Sequence, residues 1–155
     1  MRVLIVYDSV FGNTEKLANA MVGSAGKEVS AVRVGAIDMS MLSAADLLVL
    51  ASPARAFSAT PAIKAWLKGL SRGALVGKKA AAFDTRVDVA KINSGFLKVM
   101  VRVFGYAAEP LSRRLAGKGA VVAAAPAGFY VDGSEGPVSV GEIDRALQWF
   151  GGLLS

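Results

Sequence analysis

The chain has 155 residues, of which 54% are hydrophobic and 19% are charged, and its 18 basic and 12 acidic side chains leave a formal net charge of +6. This length and composition predict one globular domain, residues 1–155, and exclude a disordered chain. The chain contains neither cysteine nor histidine, which excludes disulfides, thiolate nucleophiles, the Ser-His-Asp triad and metal sites built from either residue.

Five segments have the pattern of β-strands, at residues 3–7, 29–34, 47–51, 79–83 and 119–125. Most of them are continuous apolar runs, which are typical of strands buried on both faces of a parallel sheet with helices on each side. The second run is interrupted by Ser30 and Arg33 and therefore suits an edge strand. The sequence thus predicts an α/β chain.

Helical patterns alternate with these strands. The first covers residues 13–22, with Asn13 or Thr14 as its cap, and the last covers residues 142–154. A third begins at Thr60-Pro61, because threonine as the capping residue and proline in the first turn are typical of a helix start.

The segment 91–104 is apolar apart from a narrow stripe of basic residues at helical spacing. Gly105 and Pro110 separate it from a second helical piece that ends near Leu115. The simplest interpretation of 91–104 is a helix that covers the sheet. The alternatives are a lid over a cofactor, a dimer face or a basic surface that contacts membranes peripherally.

Five strands and about five helices in alternating order fit two doubly wound plans. One is a five-stranded parallel sheet, and the other is one half of a dinucleotide-binding fold. In both plans, ligands bind beyond the carboxyl ends of the strands. We therefore expect the loops at residues 8–13, 52–60 and 84–93 to converge on one site.

The turn between the first strand and the first helix is the strongest functional signal in the chain. Ser9 and Thr14 place hydroxyls on either side of Gly12, which allows the backbone to approach a ligand closely. Free N–H groups and the positive end of a helix at such a turn favour binding of a phosphate monoester. No G-x-G-x-x-G follows the first strand and no Gly-Lys-Ser/Thr is present, so a dinucleotide fingerprint and a P-loop are excluded. Because the chain is poor in catalytic side chains, we expect a phosphate-bearing cofactor to supply its reactivity.

The FMN phosphate loop of the flavodoxin family, usually written Ser/Thr-x-Thr-Gly-Asn-Thr, is similar to the turn Asp8-Ser9-Val10-Phe11-Gly12-Asn13-Thr14. That family's second flavin loop resembles the stretch from Leu48 to Pro53 with the following Thr60-Pro61. The resemblance extends to the tail Glu135-Gly136-Pro137 and covers essentially the whole chain.

This resemblance implies a doubly wound five-stranded parallel sheet of order 2-1-3-4-5, in a three-layer α/β/α fold, and FMN bound without a covalent link. The first loop would hold the phosphate, and the other two would hold the ring. The residues implied for cofactor binding are Ser9, Val10, Phe11, Gly12, Asn13, Thr14, Pro53, Ala54, Arg55, Ala56, Phe57, Ser58, Asp84, Thr85 and Arg86.

Three features depart from the pattern of the family. Phe11 stands where a hydroxyl residue is usual. The second loop lacks the tryptophan that stacks on the flavin in many flavodoxins, so Phe57 and Tyr106 are the stacking candidates. The chain is basic, whereas flavodoxins are typically acidic.

The stretch Asp84-Thr85-Arg86 follows the fourth predicted strand. The resemblance implies that it hydrogen-bonds the pyrimidine side of the ring. Positive charge from Arg86 or Arg55 would favour the anionic reduced flavin and raise its reduction potential. The alternative is a solvated arginine beside a turn-forming aspartate.

Two functions follow from this resemblance. Small size and the absence of a catalytic acid or base favour an FMN-binding electron-transfer protein whose partners are a reductase and an acceptor protein. The basic loops and the apolar segment 92–104 favour the alternative, an FMN-dependent NAD(P)H:quinone or flavin oxidoreductase. The sequence contains no basic patch with interleaved aromatic residues, the pattern that would indicate binding of nucleic acid.

A receiver domain is the non-redox alternative on the same architecture. It needs a phosphoaccepting aspartate at the end of the third strand, where this chain has Ala51 and Ser52. It also needs a lysine after the fifth strand, where this chain has Ala125 and Pro126. The sequence therefore excludes it.

The sequence also predicts where the protein resides. Met1-Arg2 runs directly into the first strand and leaves no room for a signal peptide. The longest uncharged run, residues 119–131, is too short to span a membrane and contains Pro126. We therefore expect a soluble cytoplasmic protein.

Overall fold

The computed structural model describes residues 1–26, 28–55, 58–88, 95, 106–133 and 135–155. Within them the strands are β1 (Val3–Tyr7), β2 (Val29–Arg33), β3 (Leu47–Pro53), β4 (Lys79–Val87), β5 (Val121–Val122) and β6 (Ala127–Val131). The helices are α1 (Asn13–Ala25), α2 (Met39–Ala44), α3 (Pro61–Gly69), α4 (Ala108–Gly117) and α5 (Glu142–Leu154), and a 3-10 turn covers Val34–Ala36.

All strand pairs in the sheet are parallel, and the strand order is β2-β1-β3-β4-β5, with β6 also paired to β4. The predicted order 2-1-3-4-5 and the α/β/α arrangement are confirmed. Because every strand runs in the same direction, the segments that follow the strands emerge along one edge of the sheet.

Two hydrophobic cores lie on the two faces of the sheet. Leu4 and Val6 of β1 contribute to the core shared with α2, α3 and α4. Val3 and Ile5 contribute to the other core, which is shared with α1 and α5. Alternate side chains of one strand therefore enter opposite cores, which explains why the apolar run of β1 is continuous.

The prediction of one fifth strand at residues 119–125 is wrong in its bounds, because the structure has two short strands, β5 and β6, in this region. Val122 pairs with Ala80 and Ala127 pairs with Phe83, so four residues, 123–126, face only two residues of β4. Pro126 has no N–H to donate to a ladder, and an insertion of this kind bulges an edge strand. The edge is therefore two short strands, the second of which reaches the carboxyl end of the sheet.

Several other boundaries also differ from the prediction. β4 continues to Val87 and β3 to Pro53, so the loops expected at residues 84–93 and 52–60 begin later. The helix α2 was not predicted; it is short, and the side chain of Asp38 caps it by accepting from Met41 N. Pro110 lies inside the first turn of α4 and does not precede the helix, because the first turn of a helix tolerates proline.

Of the segment 91–104, only residue 95 is described, so its predicted roles as a covering helix, lid, dimer face or membrane surface lie outside the described residues. Among the described helices, none has the length and apolar character needed to cross a bilayer.

Candidate functional site

A cleft of about 410 Å³ opens at the carboxyl ends of β1, β3, β4 and β6, within the size range of small-molecule sites. The sheet brings together here residues that lie far apart in the sequence. The described residues lining the cleft are Ser9, Val10, Phe11, Asn13, Thr14, Pro53, Ala54, Arg55, Thr85, Val87 and Val131.

The first wall of the cleft is the turn from β1 into α1. Gly12 occupies the N-cap position with φ 89° and ψ −3°, and no side chain caps the helix. The predicted cap by Asn13 or Thr14 is therefore wrong, since both lie inside the helix. No acceptor among the described residues takes the backbone N–H groups of residues 10–14. These N–H groups and the helix dipole suit an anion.

The hydroxyls of Ser9, Thr14 and Thr85 lie beside this turn. Ser9 Oγ accepts a hydrogen bond of 3.3 Å from Glu15 N, which leaves its own proton available. Thr14 Oγ1 lies 2.9 Å from Thr85 Oγ1, and both threonines are buried. This contact joins the start of α1 to β4 and places the Thr85 side chain at the base of the cleft.

The second wall is formed by Pro53, Ala54 and Arg55. Ala54 N donates to Thr85 O at 2.9 Å, which ties this wall to β4. Arg55 and Ser58 exchange two backbone hydrogen bonds, of 2.8 Å and 3.0 Å. Ala56 and Phe57 lie outside the described residues, and the stacking role predicted for Phe57 lies outside them too.

Arg55 is exposed, and its guanidinium lies 5.7 Å from the centroid of the Phe11 ring on the opposite wall. No carboxylate of the described chain pairs with it. Arg55 therefore supplies positive potential at the mouth of the cleft. Ser58, in contrast, does not line the cleft and accepts a hydrogen bond of 3.0 Å from Lys64 Nζ.

The structure separates the predicted group Asp84-Thr85-Arg86. All three residues belong to β4, so their side chains alternate between the two faces of the sheet. Thr85 lines the cleft, whereas Asp84 and Arg86 turn to the α4 side, where Arg86 Nε and Nη2 bind Asp84 at 2.6 and 2.8 Å. The prediction that Asp84 and Arg86 lie on a loop is therefore wrong, because both belong to β4 and pair with each other.

Further contacts surround the Asp84–Arg86 pair. Asp84 is completely buried and also accepts from the N–H groups of Ala107 and Ala108, at 3.0 and 2.9 Å. The Arg86 guanidinium lies 3.8 Å from the centroid of the Tyr106 ring and 3.3 Å from Glu109 Oε1. The pair therefore joins the end of β4 to the start of α4.

Burial and the two charges act against each other in this pair. Burial raises the pKa of Asp84, and the hydrogen bonds from Arg86 oppose that shift. Burial also opposes the charge of Arg86, but the hydrogen bonds and charges of Asp84 and Glu109 together outweigh it and raise the pKa of Arg86. Tyr106, a second stacking candidate, packs on this pair and donates to Val87 O at 3.2 Å.

A hydrogen bond that the sequence does not predict joins the first wall of the cleft to the segment Glu135-Gly136-Pro137. Asn13 Nδ2 donates to Glu135 O at 3.0 Å. Gly136 has φ 99°, and a Cβ at this position would approach Asn13 Oδ1 to 2.5 Å. A side chain at this position would have to displace Asn13 and would strain the backbone, which gives a physical reason for the glycine in the Glu135-Gly136-Pro137 tail.

No protein-family model matches this sequence, and no curated protein matches it by sequence. The structure is similar to oxidised flavodoxin 1 from Bacillus cereus, with a TM-score of 0.76 and 18% identity over 99% of this chain and 97% of that chain. It is similar to two-electron reduced Megasphaera elsdenii flavodoxin, with a TM-score of 0.67 and 23% identity over 99% of both chains.

Rubredoxin oxygen:oxidoreductase from the anaerobe Desulfovibrio gigas is also similar, with a TM-score of 0.72 and 21% identity over 98% of this chain but only 35% of that one. Identities this low concern the fold alone. Together with the strand order and the cleft beyond the carboxyl ends of the strands, these similarities establish that the chain has the flavodoxin fold.

Proposed function

We propose that this chain binds FMN in the cleft and transfers electrons through it as a flavodoxin-like carrier. The observation that supports this most directly is the uncapped N-terminus of α1, whose N–H groups lack acceptors in the described chain and border the cleft. One of the similar flavodoxins is known in an oxidised form and another in a two-electron reduced form, which supports a redox role for this fold. FMN, when bound, supplies the redox chemistry.

The residues present fit the two ends of FMN. The N–H groups of residues 10–14, with the hydroxyls of Ser9 and Thr14, are the proposed phosphate ligands. Thr85 and the wall from Pro53 to Arg55 are the proposed contacts of the ring. Asp84 and Arg86 are not proposed as contacts, because neither lines the cleft and both contact the start of α4 instead.

A titration of the folded apoprotein with FMN tests this proposal. We expect the fluorescence of FMN to change with a saturable 1:1 stoichiometry, and riboflavin to bind more weakly because it lacks the phosphate. If FMN fails to bind at any concentration, the proposal is wrong. If riboflavin binds as tightly as FMN, the assignment of the phosphate site is wrong.

The proposed partners are a reductase and an acceptor protein, in the cytoplasm. The alternative activity, NAD(P)H:quinone or flavin oxidoreductase, has no specific support in the described residues. Steady-state oxidation of NAD(P)H with a quinone acceptor separates the two activities. Turnover without an added reductase would contradict the carrier, and two resolved one-electron steps during reduction would support it.

Arg55 is expected to set part of the reduction potential. The variant Arg55→Gln removes the exposed cation at the cleft, so FMN should become harder to reduce. We expect a fall of about 1 kcal/mol in the preference for the reduced form, or roughly 40 mV for a one-electron step. A redox titration of the FMN-loaded variant and wild type measures this shift in reduction potential. Arg114→Gln, an exposed residue in the last turn of α4, is the control with the same charge change. Equal shifts in both variants would contradict a local effect of Arg55.

A further inference from the structure

The last residue of β2, Arg33, reaches across the edge of the sheet to the first turn of the cleft. Arg33 pairs in register with Tyr7 of β1. Its Nη1 donates to Ser9 O at 2.9 Å and to Asp8 Oδ1 at 3.3 Å, and its Nη2 donates to Glu15 Oε2 at 3.2 Å. One guanidinium therefore contacts both ends of the turn.

The bond to the Ser9 carbonyl controls the direction of a neighbouring amide. In a planar trans peptide, the C=O of one residue and the N–H of the next point in opposite directions. Because the Ser9 carbonyl points toward the Arg33 guanidinium, the N–H of Val10 points away from it. Val10 lines the cleft, and its N–H has no acceptor in the described chain.

The preceding peptide is held in a similar way. Ser9 N donates to Asp8 Oδ1 at 2.9 Å, the same carboxylate oxygen that accepts from Arg33. At the other end of the turn, Glu15 Oε2 accepts from Arg33 and, at 2.8 Å, from Tyr7 Oη. Burial raises the pKa of Tyr7, and the hydrogen bond to Glu15 adds to this shift, so Tyr7 remains a donor at neutral pH.

The charges explain why a cation is needed at this position. Asp8 and Glu15 bring two carboxylates beside a turn whose free N–H groups suit an anion, and alone they would oppose a phosphate. Arg33 forms ion pairs with both carboxylates, at 3.3 and 3.2 Å. The guanidinium thus offsets the local negative charge while its carbonyl contact orients the turn.

We infer that Arg33 is a positioning residue that makes the first turn selective for a phosphate monoester, by aiming the Val10 N–H into the cleft and by pairing with Asp8 and Glu15. This inference rests on the proposed FMN function. It predicts an effect on binding of the phosphate and no effect on binding of the ring.

The test compares the affinities of FMN and riboflavin in the variant Arg33→Met. FMN affinity should fall about tenfold, whereas riboflavin affinity should stay within about twofold of wild type. Arg33→Lys should be intermediate, because one ammonium cannot hold the carbonyl and both carboxylates together. In the double variant Arg33→Met/Glu15→Gln, FMN affinity should recover only in part. The unpaired Glu15 charge is removed, but the Ser9 carbonyl still lacks its hydrogen bond from Arg33.

Arg145→Met is the matched control. Arg145 has 46% side-chain exposure against 45% for Arg33, pairs with Glu142 and donates to Gly128 O, but it does not line the cleft. It should leave both affinities unchanged. Equal losses for FMN and riboflavin in Arg33→Met, or no loss for FMN, would overturn the inference. Failure of wild-type protein to bind FMN would instead overturn the proposed function, so the two failures are distinguishable.

Discussion

Replacing Arg86 by methionine is expected to lower the free energy of unfolding by about 3–5 kcal/mol near neutral pH, the usual cost of removing one partner of a buried ion pair. The Asp84 side chain is fully buried, and Arg86 provides both of its side-chain hydrogen bonds. Without Arg86, the donors that remain to the carboxylate among the described residues are the N–H groups of Ala107 and Ala108. Urea unfolding of the variant and the wild type measures the loss.

The pH dependence of this loss has a definite sign. Burial already raises the pKa of Asp84, and removal of Arg86 removes an opposing hydrogen bond, so the folded-state pKa rises further in the variant. A raised folded-state pKa favours folding at low pH. The deficit relative to wild type should be complete above that pKa and should shrink as the pH falls toward about 3.9, the value of an unfolded aspartate.

Two further variants make this result interpretable. Arg86→Met/Asp84→Asn removes the unpaired charge and should recover part of the lost stability. Arg2→Met breaks an exposed ion pair, Arg2–Glu28 at 3.8 Å, and should cost less than about 1 kcal/mol. A loss in Arg86→Met as small as in Arg2→Met, or independent of pH, would contradict the role of the buried pair.

Replacing Gly12 by alanine is expected to weaken both folding and FMN binding. Gly12 has φ 89°, where an L-residue costs about 1–2 kcal/mol. A Cβ at Gly12 would meet no atom within 4 Å, so the cost comes from the backbone conformation alone. Because relaxation of φ would turn the neighbouring N–H groups, FMN affinity should fall about tenfold. Urea unfolding and FMN titration measure the two effects.

The matched control for Gly12 lies in α5. Gly151 also has no atom within 4 Å of an added Cβ, but it is helical and does not have a positive φ. Gly151→Ala should therefore stabilise the protein by up to about 1 kcal/mol and leave FMN binding unchanged. Gly12→Asn should fall between glycine and alanine, because asparagine tolerates this conformation. Full FMN affinity in Gly12→Ala would contradict the role of the turn.

The fold and the first wall of the cleft could be predicted because their signals are local. The apolar run of residues 3–7 and the small polar turn that follows lie within a few residues of each other. A strand that ends in such a turn before a helix places the turn at the carboxyl edge of the sheet, whatever the rest of the chain does. Strand order followed from the resemblance to the flavodoxin family and is confirmed.

The Asp84-Thr85-Arg86 group shows what local pattern cannot supply. Its residue types suit a flavin loop, but pairing with β6 extends β4 through all three positions. Alternation along a strand then separates Thr85 from its two charged neighbours. That pairing depends on residues 127–131, more than 40 positions away in the sequence, which no local pattern can indicate.

From its amino acids alone, this chain could be assigned an alternating parallel architecture, a turn suited to phosphate and a chemistry without cysteine or histidine. These properties depend on composition and on neighbours along the chain. Contacts between distant segments decide the rest. They determine which side chains face the cleft, the hydrogen bond from Arg33 to Ser9 O and the burial of Asp84 against α4. Such contacts arise from the packing of strands and helices, which sets direction and burial and which periodicity along one segment does not encode.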